Sequence, residues 1–249
     1  MKYLSLEFFK MRRRGIFPVI LFLLAAELGW ALGFQSKAFY GLLPDPHQPM
    51  WEALLLYISM VKGLIFPILI AVSVSRVNDM EHNGNTWKLL ESSAELPGTI
   101  WRVKFLSIYL LVSIAQVLEL GVTIAFGALK GIAEPFPPLV YLAFFLGSMG
   151  INAAIILFQQ WISMTVENQL VAMAVGMFGA FLGFFSMFLP TVVRYLLIWG
   201  YYANLSPATF SPDGVPARLA VSPAALLLPF AAAIVLYFVG RRQFMKTES

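Results

Sequence analysis

Three ionisable residues, Glu27, Lys62 and Glu119, stand inside long apolar runs of this 249-residue chain. A charge at membrane depth is costly, so it faces a protein interior or a polar route and pairs with a neighbour. Glu27 and Glu119 could together do acid–base work, but no nucleophile or cofactor motif stands beside either. The other chemistry-bearing residues, His47, His82, Asp45, Asp79 and Asp213, fall in connectors. No serine–histidine pair, aspartate pair or H-E-x-x-H helix lies in an apolar run, which argues against an intramembrane protease. The chain has no cysteine, so thiol catalysis, disulfides and cysteine metal sites are excluded. It has no G-x-x-x-x-G-K-[ST] sequence either, so it has no P-loop for ATP.

At about 1.5 Å of rise per residue, Glu27 lies about 10 Å, Lys62 about 14 Å and Glu119 about 15 Å from the same end of their helices. Gln116, one turn before Glu119, shares its face. The group Glu27, Lys62, Gln116 and Glu119 reads either as a clamp that fixes helix packing or as a polar patch on a route or subunit contact. Asn152, Gln159 and Gln160 are weaker candidates of the same kind. Gly179 and Gly183 form a small-xxx-small pair, which lets helices approach closely within a subunit or between subunits.

The elements that position these residues follow from hydropathy. The chain is 59% hydrophobic and 12% charged, with a mean hydropathy of +0.78. A soluble domain carries roughly twice that charge fraction. Stretches of about 20 apolar residues read as spanning helices. They run from Ile16 to Phe34, Ala53 to Ser75, Val103 to Leu129, Leu139 to Ser163, Leu170 to Leu189 and Pro223 to Gly240. The first is too long for a cleaved leader and contains Glu27, so a retained span is expected. No connector is long enough for a second soluble domain, so residues 1–249 read as one transmembrane domain.

The net charge of +4 is not gathered on a soluble face, which argues against nucleic-acid binding. Lysine and arginine instead flank the spans. With the N-terminus inside, 12 lie inside and 4 outside, with Lys62 in a span, so both termini are expected to be cytoplasmic. Met1 to Arg14 reads as an interfacial helix, with Leu4, Phe8, Phe9 and Met11 as apolar surface and basic residues for lipid phosphates. In the inner loop, Gly84 breaks the chain and Asn85 or Thr86 can cap a short helix. Trp87, Leu90 and Ala94 share its apolar face, which could rest on headgroups or dock on a soluble partner. The aromatic run Tyr195 to Tyr202 reads as an interfacial belt or as a lid.

Glu81, Gly84, Thr86-Trp87-Lys88 and Leu90, followed by Pro97 and Lys104, resemble the type-2 ABC exporter permeases. The likeness is greatest to the permease subunits of bacterial lantibiotic-immunity and bacitracin-resistance exporters. Leu189-Pro190, the run Trp199, Gly200, Tyr201, Tyr202, and Pro207 are similar to the short re-entrant helices which that family carries after its fifth span. The resemblance implies an all-α integral membrane protein of six spans, with an N-terminal interfacial helix and a cytoplasmic coupling helix. It implies that Glu81, Gly84, Thr86, Trp87, Lys88 and Leu90 contact a separate P-loop ATPase, present twice, which binds the ATP and magnesium. A second permease, identical or paralogous, would complete the pathway in a bacterial cytoplasmic membrane. The cargo would be an antimicrobial peptide or lipid-like compound removed from the membrane. An ion-coupled secondary transporter and a membrane scaffold without transport are the other readings. The former usually shows related halves, which are not evident here.

Overall fold

The computed structural model describes residues 2–38, 45–83, 97–166 and 168–247. Helix α1 (Lys2–Arg13) turns at Gly15, whose φ of +64° suits glycine, into α2 (Ile16–Ala38). Then come α3 (Met50–Asn83), α4 (Pro97–Leu129), α5 (Pro138–Thr165) and α6 (Gln169–Phe185). Short helices α7 (Thr191–Leu196) and α8 (Tyr201–Leu205) precede a hairpin of β1 (Ala208–Phe210) and β2 (Pro216–Arg218). Helix α9 (Pro223–Thr247) closes the fold.

Among the described residues six helices, α2 to α6 and α9, are long and apolar enough to cross a membrane. The architecture is therefore the expected all-α, six-span one. Buried residues make up 72% of the apolar window of α3 and 61% of that of α5, against 22% for α9. So α3 and α5 are the central helices. Helix α3 packs chiefly on α6 and α2, and α5 on α9. One end of the bundle carries α1, the ends of α3 and α9 and the start of α4, rich in lysine and arginine (the basic end). The other carries the hairpin (the hairpin end).

Each helix ends for a local reason. Helix α4 stops at a glycine cap: Gly131, at φ +69°, donates to the Ala128 carbonyl while Ile132 N–H reaches the Gly127 carbonyl. Pro138 occupies the first turn of α5, where a missing N–H costs nothing. Asn168 caps α6 by accepting from Leu170 N–H at 3.0 Å.

Three helices run well beyond their expected spans, α9 continuing past Gly240 to Thr247. Helix α3 continues past Ser75 to Asn83, and α4 begins at Pro97 rather than Val103. Hydropathy sees only the lipid-crossing part, whereas the polar extensions are tied into the protein: Asn78 Nδ2 donates to Ser163 Oγ at 2.9 Å. Asp79, assigned above to a connector, lies in that extension. The fifth span ends as expected: helix α6 proper stops at Phe185, where Ser186 Oγ turns back to the Gly183 carbonyl at 2.6 Å, and a 3-10 turn carries it to Phe188, one residue short of Leu189. Pro190 also disfavours helix at the residue before it.

On α1 the apolar residues divide. Met11 is buried and Phe8 packs on the core, while Tyr3, Leu6 and Phe9 are exposed. The interfacial reading gave Phe8 and Met11 as apolar surface for the membrane; both turn inward because α1 packs on α4 and α2.

At the hairpin end an ionic clasp joins distant segments. Arg218 Nε donates to Glu52 Oε1 at 3.0 Å, and Arg218 Nη2 donates to Glu134 Oε1. Glu134 Oε2 accepts from Trp51 N–H at 3.1 Å, and its carbonyl from Trp51 Nε1 at 2.9 Å. Tyr141 OH donates to the Trp51 carbonyl at 3.0 Å. Burial raises the Glu134 carboxyl above its ordinary value, with Glu52 adding to the rise; the Trp51 N–H and Arg218 oppose it.

Helix α6 lies close to α3 and to residue 199. A Cβ at Gly183 would stand 2.7 Å from the Gly63 carbonyl oxygen and 2.9 Å from that of Trp199. Both are backbone atoms and cannot swing aside, so the glycine pair serves packing within the subunit. Gly183→Ala is expected to lose about 1–3 kcal/mol of stability, read by unfolding in detergent. Gly29→Ala, where a Cβ meets nothing within 4 Å, should cost nothing. Equal effects at the two sites would refute the packing account.

The clasp yields a pH dependence. Because the folded value of Glu134 is raised, its contribution is full in acid and is lost as pH rises through that value. Glu134→Gln keeps an acceptor for Trp51 but cannot titrate. The variant's melting temperature should gain on the unsubstituted protein's as pH rises from about 4 to about 7. A difference that does not change with pH would contradict this.

Candidate functional site

The structure brings Glu27, Lys62, Gln116 and Glu119 together, from α2, α3 and α4. All four are buried, Glu27 and Lys62 completely. Lys62 Nζ donates to Glu119 Oε2 and sits 3.9 Å from the Phe66 ring centroid. The ammonium is thus held by one carboxylate and one aromatic face, an arrangement that offsets part of its desolvation. Glu27 is acted on by both Glu119 and Lys62.

From this centre a line of side-chain bonds crosses the bundle. Gln116 Nε2 donates to the Phe145 carbonyl at 2.8 Å, and Gln116 Oε1 accepts from Asn152 Nδ2 at 2.6 Å. Asn152 Oδ1 accepts from Tyr202 OH. Asn152 lies about 21 Å along α5 from its first residue, by the helical rise. Tyr202 reaches it because α8 packs among α3, α5, α6 and α9. Tyr202 and Tyr201 are therefore buried, and the belt reading is corrected for them. Trp199 is wedged between Phe158, at a 5.2 Å centroid distance, and the face of α6 that Gly179 leaves open. Pro190 caps α7 at the hairpin end, and the exposed side chains Val192 and Leu196 follow it.

A second feature lies toward the basic end. A groove of about 950 Å³ opens between α2, α3 and α6. Its walls include Phe22, Ile68, Val72, Met173 and Met177, and its end near the start of α6 holds Arg76, Asp79 and Asn168. Arg76 Nη1 donates to the Arg14 carbonyl at 3.1 Å. At this polar end Gln169, which also lines the groove, accepts at Oε1 from Ser163 Oγ, and its Nε2 donates to the Ser163 carbonyl at 2.8 Å. The groove is lined by none of Glu27, Lys62, Gln116 or Glu119.

Gly84, Thr86, Trp87, Lys88 and Leu90 lie outside the described residues, and Glu81 is placed only as backbone in the last turn of α3. Of the weaker candidates, Gln159 Nε2 donates to the Ala172 carbonyl at 2.7 Å and Gln160 Nε2 to the Trp101 carbonyl at 3.0 Å, so both tie helices together. The sequence reading did not connect Tyr202 with Asn152, nor Arg218 with Glu52 and Glu134. Their only advance signal was polarity beside apolar runs, which carries no pairing information.

Among curated proteins none matches this chain. Residues 3–183 match the family model described as ABC-2 family transporter protein. That match covers the first four spans and most of the fifth, with Glu27, Lys62, Gln116, Glu119 and Asn152; Tyr202, the hairpin and the last span lie beyond it. It makes the chain a multi-pass membrane protein whose family works with an ATPase. The chain belongs to the ABC-2 transporter family and is a permease of that type.

Proposed function

We propose that this permease is the membrane subunit of an ATP-driven exporter that removes an amphipathic compound, an antimicrobial peptide or a lipid-like molecule, from the membrane. The groove between α2, α3 and α6 carries this reading: apolar walls open to the side, with a polar end at Arg76, Asp79 and Asn168. Such a surface suits a molecule with an apolar body and a polar head. The distribution of lysine and arginine supports cytoplasmic termini, and the exporter reading makes the membrane a bacterial plasma membrane.

Hydrolysis of ATP belongs to a separate ATPase subunit, present in two copies, which also holds the magnesium. It engages the segment from Glu81 to Leu90, with Trp87 as its apolar anchor. The extension of α3 beyond Ser75 supports this, because a central helix that also lines the groove runs on to Asn83, directly before Gly84 in the sequence. A second permease, identical or paralogous, completes the pathway. The polar cluster and Trp199, Tyr201 and Tyr202 hold the bundle against which the groove opens and closes.

The test is transport in proteoliposomes holding the permease with its ATPase, using a labelled lantibiotic-type peptide and a labelled phospholipid in parallel. Val72→Trp, which fills the groove, should abolish transport of the true cargo class while the ATPase still co-purifies. Trp87→Ala should instead lose co-purification. Undiminished transport of both probes by Val72→Trp would overturn the groove reading.

A further inference from the structure

The carboxyls at the centre of the bundle have too few hydrogen-bond donors. Glu27 is fully buried, and neither of its oxygens has a hydrogen-bond partner among the described residues. Glu119 Oε1 has none either, its other oxygen being taken by Lys62. A carboxylate only accepts, so two ionised acids cannot satisfy one another, whereas a protonated acid supplies an O–H. Buried polar atoms are almost always paired. Glu27 and Glu119 are close enough for a side-chain hydrogen bond once one of them carries hydrogen.

The charge count agrees. The charged groups acting on Glu27 are Glu119 from α4 and Lys62 from α3, and the remaining titratable neighbour is Tyr202 from α8. The Tyr202 hydroxyl donates to Asn152 and is not available to either carboxyl. With both acids ionised the site holds one uncompensated negative charge in an apolar bundle, which is costly. One added proton removes the charge and supplies the missing donor together.

We propose that Glu27 and Glu119 form a buried proton-binding site, holding one proton between them as an O–H···O bond from Glu27 to Glu119 Oε1. Any rearrangement that draws α2 away from α3 and α4 admits water and releases the proton. The proposal concerns the charge state of the resting bundle and stands whether or not the groove carries cargo.

Infrared spectroscopy of the purified protein in detergent at neutral pH tests it directly, since a protonated carboxyl has a carbonyl band distinct from a carboxylate's. The difference between the unsubstituted protein and Glu27→Gln should show the loss of one protonated carboxyl band, with a shift on transfer to heavy water. In Lys62→Met, where the compensating ammonium is gone, the band should double. An unchanged band in Glu27→Gln overturns the proposal, and so does an unchanged or weaker band in Lys62→Met. If either variant does not fold, Glu27→Asp, which keeps the carboxyl, should shift the band rather than remove it, and an unshifted band then overturns the proposal. A missing band together with sodium-dependent stability would assign a metal cation instead, which also overturns it.

Discussion

The ion pair between Lys62 and Glu119 is the contact on which this bundle depends. Both groups are removed from solvent, and neither could stay ionised alone among apolar helices without a large penalty. The pair therefore fixes α3 against α4, and Phe66 fixes the ammonium against α3 itself. Helix packing in lipid has no hydrophobic force between spans, so close glycine contacts and buried polar bonds must supply specificity. Gly63 and Gly183 do the former between α3 and α6; Gln116 and Asn152 do the latter between α4 and α5.

This constraint organises the two ends differently. Toward the hairpin end, Tyr202 brings α8 into the polar line, and Arg218 pins the hairpin to Glu52 and Glu134. Toward the basic end the helices α2, α3 and α6 separate into a groove whose polar end adjoins Arg76 and Asp79. A bundle held at its centre and closed at one end can open only at the other. That asymmetry suits a permease whose driving subunit is expected to work through the loop after α3.

The spans were legible in the sequence because membrane thickness sets their length, and a run such as Leu139 to Ser163 has no other stable home. The polar extensions of α3 and α4 were not legible. Asn78 Nδ2 donates to Ser163 Oγ and the Trp101 carbonyl accepts from Gln160 Nε2, and both partners lie more than fifty residues away. Glu27, Lys62 and Glu119 could be grouped by depth alone, since helical rise is fixed. Depth could not reveal that Lys62 chooses Glu119 over Glu27, because that depends on the rotation of each helix. The burial of Tyr202 was hidden for a related reason. An aromatic run fits a membrane surface equally well, and only the packing of α8 among four helices decides against it.

Exchanging the two charges tests the central contact most directly. Lys62→Glu alone leaves three buried acids without a base, and Glu119→Lys alone sets two ammonium groups side by side. The account predicts that each single variant loses folded, monodisperse protein on size-exclusion chromatography, and that the double variant recovers most of it. A double variant no better than the worse single, or single variants that fold as well as the original chain, would contradict it.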